Sequence, residues 1–318
     1  MSKIREYDWK YGFFLGCIIP NRYPMIEISI RNTLDYLGVE LIDLPGASCC
    51  PAPGVFRAFH IPSWYVVAAR NISIGENLGV SLMTGCNGCY GTLRDVWHEL
   101  QHDKEMKNKV NEELGKIGRT YKGNLPPKHV MEVLYLEMGL DHIRDFIRYK
   151  FSNLKVAVHY GCHIIKPSDK RPWNGEYEAP RFFDEIVELT GAKSIDYKDK
   201  YMCCGAGGAL RSAVKEVAAD FTREKLVNIR DVGADIIVDC CPFCHMQLDS
   251  GQVEVNEFYG DIIGEPFNIP VIYITQLLGV SFGIDPNLLG LVKNHALSGV
   301  TPYISIDPFV KIVKEQLI

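Results

Sequence analysis

The chain has 318 residues, 47% of them hydrophobic and 23% charged, with a formal net charge of -5. Those values fit a soluble protein with room for two cored domains, and the mild negative charge gives no electrostatic basis for binding nucleic acid or an anionic membrane surface. No apolar run reaches the roughly 18–20 residues of a membrane helix, and the opening MSKIREYDWK is too polar for a secretory signal, so a cytoplasmic location without a membrane segment is expected.

In chain order, GFFLGCII (12–19) is a short β-rich run that ends at Gly16 and Cys17. In the following MIEISIRNTLDYLGVELIDL, Ile26, Ile30, Leu34 and Leu37 recur at helical spacing, and Gly38 closes the helix before a second strand. A loop then carries Cys49 and Cys50 in CCPAPG, and a further helix ends at Gly79. A third strand in VSLMTGCNGC delivers Cys86 and Cys89 to the start of a helix, where the dipole favours thiolate. Residues 98–128 are charged and predict a solvated helix inserted in this half. PKHVMEVLYLEMGL (127–140) completes it.

The text then begins again. VAVHYGCHI (156–164) reaches Cys162, and APRFFDEIVELTGAKSIDY repeats the helix, its closing glycine (Gly191) and the strand. CCGAGG carries Cys203 and Cys204, a helix ends at Gly233, and ADIIVDCCPFC brings Cys241 and Cys244. NIPVIYITQLLGVSF (268–282) matches the end of the first half. From Cys17 the gaps are 31 residues to Cys49 and 35 from Cys50 to Cys86; from Cys162 they are 40 and 36. Ten of the eleven cysteines fit one template, and only Cys240, beside Cys241, falls outside the CxxC register. It reads as an incidental neighbour of the site.

Alternating strands and helices predict an α/β fold of two pseudo-symmetric Rossmann-like lobes with mainly parallel sheets. Residues 1–150 form the first and 151–285 the second, while 286–318 lie outside the repeat and carry no assigned role. Loops after parallel strands gather on one rim, so each half should collect five cysteines there although they span 73 residues in the first. An odd cysteine count without an export signal argues against disulfides, and pairs at chain breaks do not read as buried core thiols. Zinc would want four ligands, usually two CxxC pairs. Five thiolates with a vicinal pair suit a larger iron–sulfur body better, either with one thiolate idle or with an unusual cluster. Amides of CCGAGG offer N–H donors to such a group, whereas Pro51 offers none at the matching place.

CIIPNRYP, GASCCPAPGVF and TGCNGCYGTL, with HYGCHIIKP, CCGAGG and CCPFCHMQL, resemble the B subunit of the methanogen-type heterodisulfide reductases over roughly residues 10–285. Each half resembles one cysteine-rich CCG domain of that family. The resemblance implies two non-cubane [4Fe-4S] clusters at the rim between the lobes, one on Cys17, Cys49, Cys50, Cys86 and Cys89 and the other on Cys162, Cys203, Cys204, Cys241 and Cys244. It implies an oxidoreductase that reduces the coenzyme M–coenzyme B heterodisulfide. Electrons would come through a small C subunit with two cubane [4Fe-4S] clusters, from a flavoprotein A subunit in complexes that also engage a hydrogenase or formate dehydrogenase. Such a substrate carries a sulfonate and a phosphate, which Arg22 and Lys166 suit as cations, and His163 adjoins Cys162 as a donor to a leaving thiolate. His159 and His245 are weaker candidates. Two other readings stand beside this one: an electron-transfer protein with the same repeats serving a fumarate, lactate or sulfur-oxidising system, and a zinc-bound assembly module.

Overall fold

In the computed structural model, residues 9–173, 177–291 and 302–316 are described. The β-rich runs form two four-stranded, wholly parallel sheets. The first has the order β2 (Val39–Asp43), β1 (Trp9–Phe13), β3 (Leu82–Thr84), β4 (Lys128–His129). The second repeats it with β6 (Lys193–Ser194), β5 (Lys155–His159), β7 (Ile236–Asp239) and β8 (Val271–Tyr273). The sequence suggests three strands per half; the fourth comes from the segments that end each repeat, where two or three residues are too few for alternation to register.

Helices fill the crossovers. The first half contains α1 (Ile18–Arg22), α2 (Pro24–Tyr36), α3 (Phe56–Phe59), α4 (Ile61–Asn77), α5 (Asn87–His102) and α6 (Lys104–Gly115). It ends with α7 (Val130–Glu132), which continues through a π-helical stretch over 133–138 into α8 (Gly139–Phe146). The second half contains α9 (Phe182–Leu189), α10 (Leu210–Ala213), α11 (Lys215–Asp231), α12 (Pro242–Ile263, kinked at Tyr259) and α13 (Ile274–Ser281), and α14 (Asp307–Gln316) follows. Proline opens α2, where its missing N–H costs nothing. Gly38 and Gly191 follow α2 and α9 at φ +85° and +82°, a left-handed turn that a side chain would strain.

The halves share their core. The α2 helix buries Ile26, Ile30 and Leu34 with Leu277 and Leu278 of α13, and Thr33 Oγ1 donates to the Thr275 carbonyl at 2.8 Å. In return, Tyr135 of the stretch before α8 donates to Glu185 of α9 at 2.7 Å. Each half thus lays its first long helix on the last helices of the other.

One expectation changes, and one stretch without an assigned role gains contacts. The charged stretch 98–128 is not one solvated helix. It is the end of α5, then α6, then a loop, with Val110, Leu114 and Tyr121 buried beside Trp64 and Leu100. The Glu76 carboxylate accepts the N–H groups of Lys122, Gly123 and Asn124 at 2.8, 2.6 and 3.1 Å. Charges cover the outer face of this segment, and a long-range tether holds its inner side. The C-terminal stretch does pack on the core where it is described: Phe309 lies 6.0 Å from the Phe151 ring, and Asp249 accepts the Ile304 N–H at 2.8 Å.

Candidate functional site

Parallel strands send the loops after β1, β2 and β3 off one rim. Cys17 follows β1, Cys49 and Cys50 lie in the loop after β2, and Cys86 caps α5 just past β3 with Cys89 in its first turn. Cys162, Cys203, Cys204, Cys241 and Cys244 take the same stations on the second sheet, Cys241 capping α12. The thiols meet in series. Cys17 contacts Cys49, Cys49 contacts Cys50, Cys50 contacts Cys89 and Cys89 contacts Cys86. In the second half the order is Cys162, Cys203, Cys204, Cys244, Cys241, with Cys204 Sγ 3.5 Å from Cys244 Sγ. Cys86 Sγ stands 3.9 Å from Cys241 Sγ, which joins both series into one path of ten sulfurs. The middle is buried, Cys17 and Cys49 are exposed, and Cys162 and Cys203 are partly so.

The thiols share protons unevenly. Hydrogen bonds from Cys17 and Cys50 hold Cys49 down at about 3, and those from Cys162 and Cys204 hold Cys203 down at about 2. The bond to Cys49, then burial, pushes Cys17 far up, and Cys162 is raised in the same way by Cys203. Three of the ten sulfurs, Cys49, Cys203 and Cys241, are thereby favoured as thiolates, and the other seven are pushed up. Backbone amides assist: Gly205 N–H donates to Cys203 Sγ at 3.4 Å, and in the first loop, where Pro51 has no N–H, the Cys50 and Ala52 amides serve Cys49.

The two double-cysteine loops touch. A Cβ on Gly54 of CCPAPG would stand 2.8 Å from Gly208 Cα, the matching glycine of CCGAGG. Cys240 lies off the sulfur path, its S–H directed to Asn87 Oδ1 and the Tyr160 carbonyl at 3.6 and 3.8 Å. Cys241 and Cys86 correspond, each with its N–H bonded two residues back, to Asp239 Oδ1 and Thr84 Oγ1.

The other residues singled out from sequence fare differently. His163 is partly buried, with its ring against Gly91 of α5, so it spans the junction of the halves; burial, then Arg171, holds its imidazole below the usual range. Arg22 is exposed in a cleft of 560 Å³ that is also lined by Ile18, Arg211, Lys215, Phe243 and Glu254. Ile18 adjoins Cys17, and Phe243 lies between Cys241 and Cys244. Lys166 is exposed and does not line this cleft. His245 is spent on Asp239 at 3.0 Å. His159 is buried with its ring within 4.8 Å of Cys204 Sγ and Cys244 Sγ.

Sequence reasoning missed the polar ties across the junction. Arg171, fully buried, donates to Asp95 Oδ1 at 2.8 Å and to the His163 and Lys166 carbonyls at 2.8 and 2.9 Å. Tyr273 OH donates to the Gly85 carbonyl at 2.7 Å, and Asn87 Nδ2 to the Tyr160 carbonyl at 2.7 Å. Asn87, inside CNGC, offered the one local signal; an isolated arginine reads as a surface charge.

Groups of five soft thiolates, edged by amides, are a donor set for iron–sulfur clusters and exceed the corners of a tetrahedral zinc site. Among the described residues no helix is long and apolar enough to cross a membrane. Residues 11–94 and 156–249 match the CCG family, described as a cysteine-rich domain. The B subunit of the ferredoxin/F(420)H(2)-dependent CoB-CoM heterodisulfide reductase of Methanosarcina acetivorans is 50% identical over 285 residues, 90% of this chain and 93% of the relative. A protein of Archaeoglobus profundus described as like the heterodisulfide reductase B subunit is 40% identical over 87% of this chain and 92% of its own length. Among solved structures, a hypothetical protein from Helicobacter pylori shares the fold with a TM-score of 0.67 at 17% identity, over 95% of this chain and 53% of that one. With both halves matched and half of its residues shared with such a relative, the chain belongs to the B-subunit family of heterodisulfide reductases, which are CCG-domain oxidoreductases.

Proposed function

We propose that the chain is the catalytic subunit that reduces the coenzyme M–coenzyme B heterodisulfide, RS–SR′ plus two electrons and two protons giving RSH and R′SH. The observation that carries this reading is the meeting of two five-sulfur groups at Cys86 and Cys241, beside a cleft that starts next to Cys17 and reaches Phe243. We assign Cys17, Cys49, Cys50, Cys86 and Cys89 to one non-cubane [4Fe-4S] cluster and Cys162, Cys203, Cys204, Cys241 and Cys244 to a second. When bound, these clusters supply the two electrons singly, which matches one two-electron bond to two one-electron centres.

The protein's own groups then bind and orient. Thiol–disulfide exchange needs a free attacking cysteine, and Cys240, the one cysteine off the path, is buried with its S–H engaged. Arg211 and Lys215 share the Glu254 carboxylate at 2.7 and 3.2 Å, which leaves Arg22 as the cation to meet a sulfonate or phosphate. His163, kept neutral by burial and Arg171, presents an N–H to a departing thiolate rather than a stored proton. Lys166 contributes only field from outside the cleft. Electrons reach the site from a small two-cubane C subunit, itself fed by a flavoprotein A subunit and by a hydrogenase or formate dehydrogenase.

Anaerobic purification should give about eight irons per chain with matching sulfide. Cys17→Ala and Cys162→Ala, one ligand from each group, should each abolish heterodisulfide reduction by reduced viologen while keeping iron at the other site. Zinc with little iron, or near-normal turnover with one site emptied, would overturn the proposal.

A further inference from the structure

We infer that the two cluster sites are unequal: His159 donates an N–H hydrogen bond to a sulfur of the second site and makes that centre the more easily reduced. This rests on reading the ten cysteines as cluster ligands. His159 ends β5 and is 0% exposed. A ring nitrogen, Cys204 Sγ and Cys244 Sγ all lie within 4.8 Å of one another. Neither ring nitrogen has a hydrogen-bond partner among the described residues. A neutral imidazole carries one N–H donor and one acceptor, and buried polar groups in native proteins are almost always satisfied. Unpaired beside two cysteine sulfurs, this donor faces whatever those sulfurs hold. An N–H aimed at a thiolate or sulfide draws charge from the cluster and favours its more negative, reduced form.

Among the described residues no such group stands beside the sulfurs of the first site. Counting back from Cys17 as from Cys162, the matching residue is Phe14, buried in the same cluster of side chains as Cys50 and Cys89. The alignment holds in space as well. A Cβ on Gly16 would stand 2.6 Å from Cys89 Sγ, and one on Gly161 would stand 3.1 Å from Cys244 Sγ. The apolar ring donates nothing, so the repeat keeps its ligands and differs in what surrounds them. Phe14 also argues against His159 as a ligand, because the same five-cysteine set stands without an imidazole in the first half.

The test is a redox titration of the full chain followed by electron paramagnetic resonance, with iron counted in every sample. H159F should keep wild-type iron and lower one midpoint by about 59 mV, a tenfold change for a one-electron centre, while the other midpoint stays. H159Q, which retains an N–H, should recover most of the shift, and F14H should raise the other midpoint. Unmoved midpoints in iron-replete H159F would overturn the inference, as would equal shifts of both, or a strong nitrogen coupling in the wild type that marks a directly bound imidazole. If H159F loses iron, F14H and H159Q decide: an F14H midpoint equal to wild type overturns the inference. A wild-type preparation without iron would instead refute the cluster reading itself.

Discussion

Replacing Gly54 by alanine probes the contact that fixes the two double-cysteine loops against each other. The added Cβ would stand 2.8 Å from Gly208 Cα and 2.9 Å from Gly208 N, so backbone meets backbone and no side chain can swing aside. Overpacking of this kind costs about 1–3 kcal/mol. At about 2.1 cal/mol/K per residue, 318 residues give an unfolding entropy of roughly 0.7 kcal/mol/K, which places the loss in Tm at about 1.5–4.5 °C. The larger effect should fall on the site, because separating the loops draws Cys49 and Cys50 away from Cys203 and Cys204. Gly207 is the internal control: it belongs to the CCGAGG loop, and a Cβ there meets nothing within 4 Å. Anaerobic thermal unfolding at a fixed scan rate, with iron measured after desalting, should show Gly54→Ala with a lower Tm and reduced iron, and Gly207→Ala close to wild type. If the two variants behave alike, the contact does not hold the loops, and the account of their placement fails.

Arg171→Met leaves the buried Asp95 carboxylate without its partner and should cost about 3–5 kcal/mol, read as lost soluble yield and Tm; the double variant with Asp95→Leu should recover a good part of it. Cys240→Ser keeps a donor for Asn87 and should retain nearly all iron, whereas Cys241→Ser should lose much of the second cluster; equal losses would mean that the ligand register is shifted by one. Arg22→Ala should raise KM for the heterodisulfide about tenfold, or about 1.4 kcal/mol, with kcat near wild type; an unchanged KM would remove Arg22 from the substrate site. Residues 1–150 expressed alone should be insoluble, because α2 loses α13; a soluble, cooperatively folding fragment would show that the shared core is dispensable.

Cysteine spacing made the gathering of the ten thiols readable, because parallel strands turn a sequence repeat into a spatial one without further information. Gly38 and Gly191 marked the helix ends, and CNGC and CPFC marked helix starts, since both signals are local. What escaped was non-local. The β4 strand covers only Lys128–His129, too short for periodicity to show. The loop after α6 is ordered by Glu76, 46 to 48 residues away. Arg171 looks like any loop arginine until Asp95, 76 residues earlier, is brought beneath it. Lys166 shows the converse, since proximity to Cys162 in sequence does not bring it to the lining of the Arg22 cleft.

The contacts at the centre pair equivalents: Gly54 with Gly208, Cys86 with Cys241, and the first long helix of each copy with the closing helices of the other. That is the signature of an isologous interface, in which one surface patch meets itself about a two-fold axis. The chain has the architecture of a homodimer of a single cysteine-rich unit whose protomers have been spliced end to end. Splicing fixes the stoichiometry, and it also frees the copies from having to be identical. In a true dimer every substitution is made twice; here one half holds Phe14 and the other His159. A fused pair can thus give its halves separate tasks while their common backbone keeps both in register.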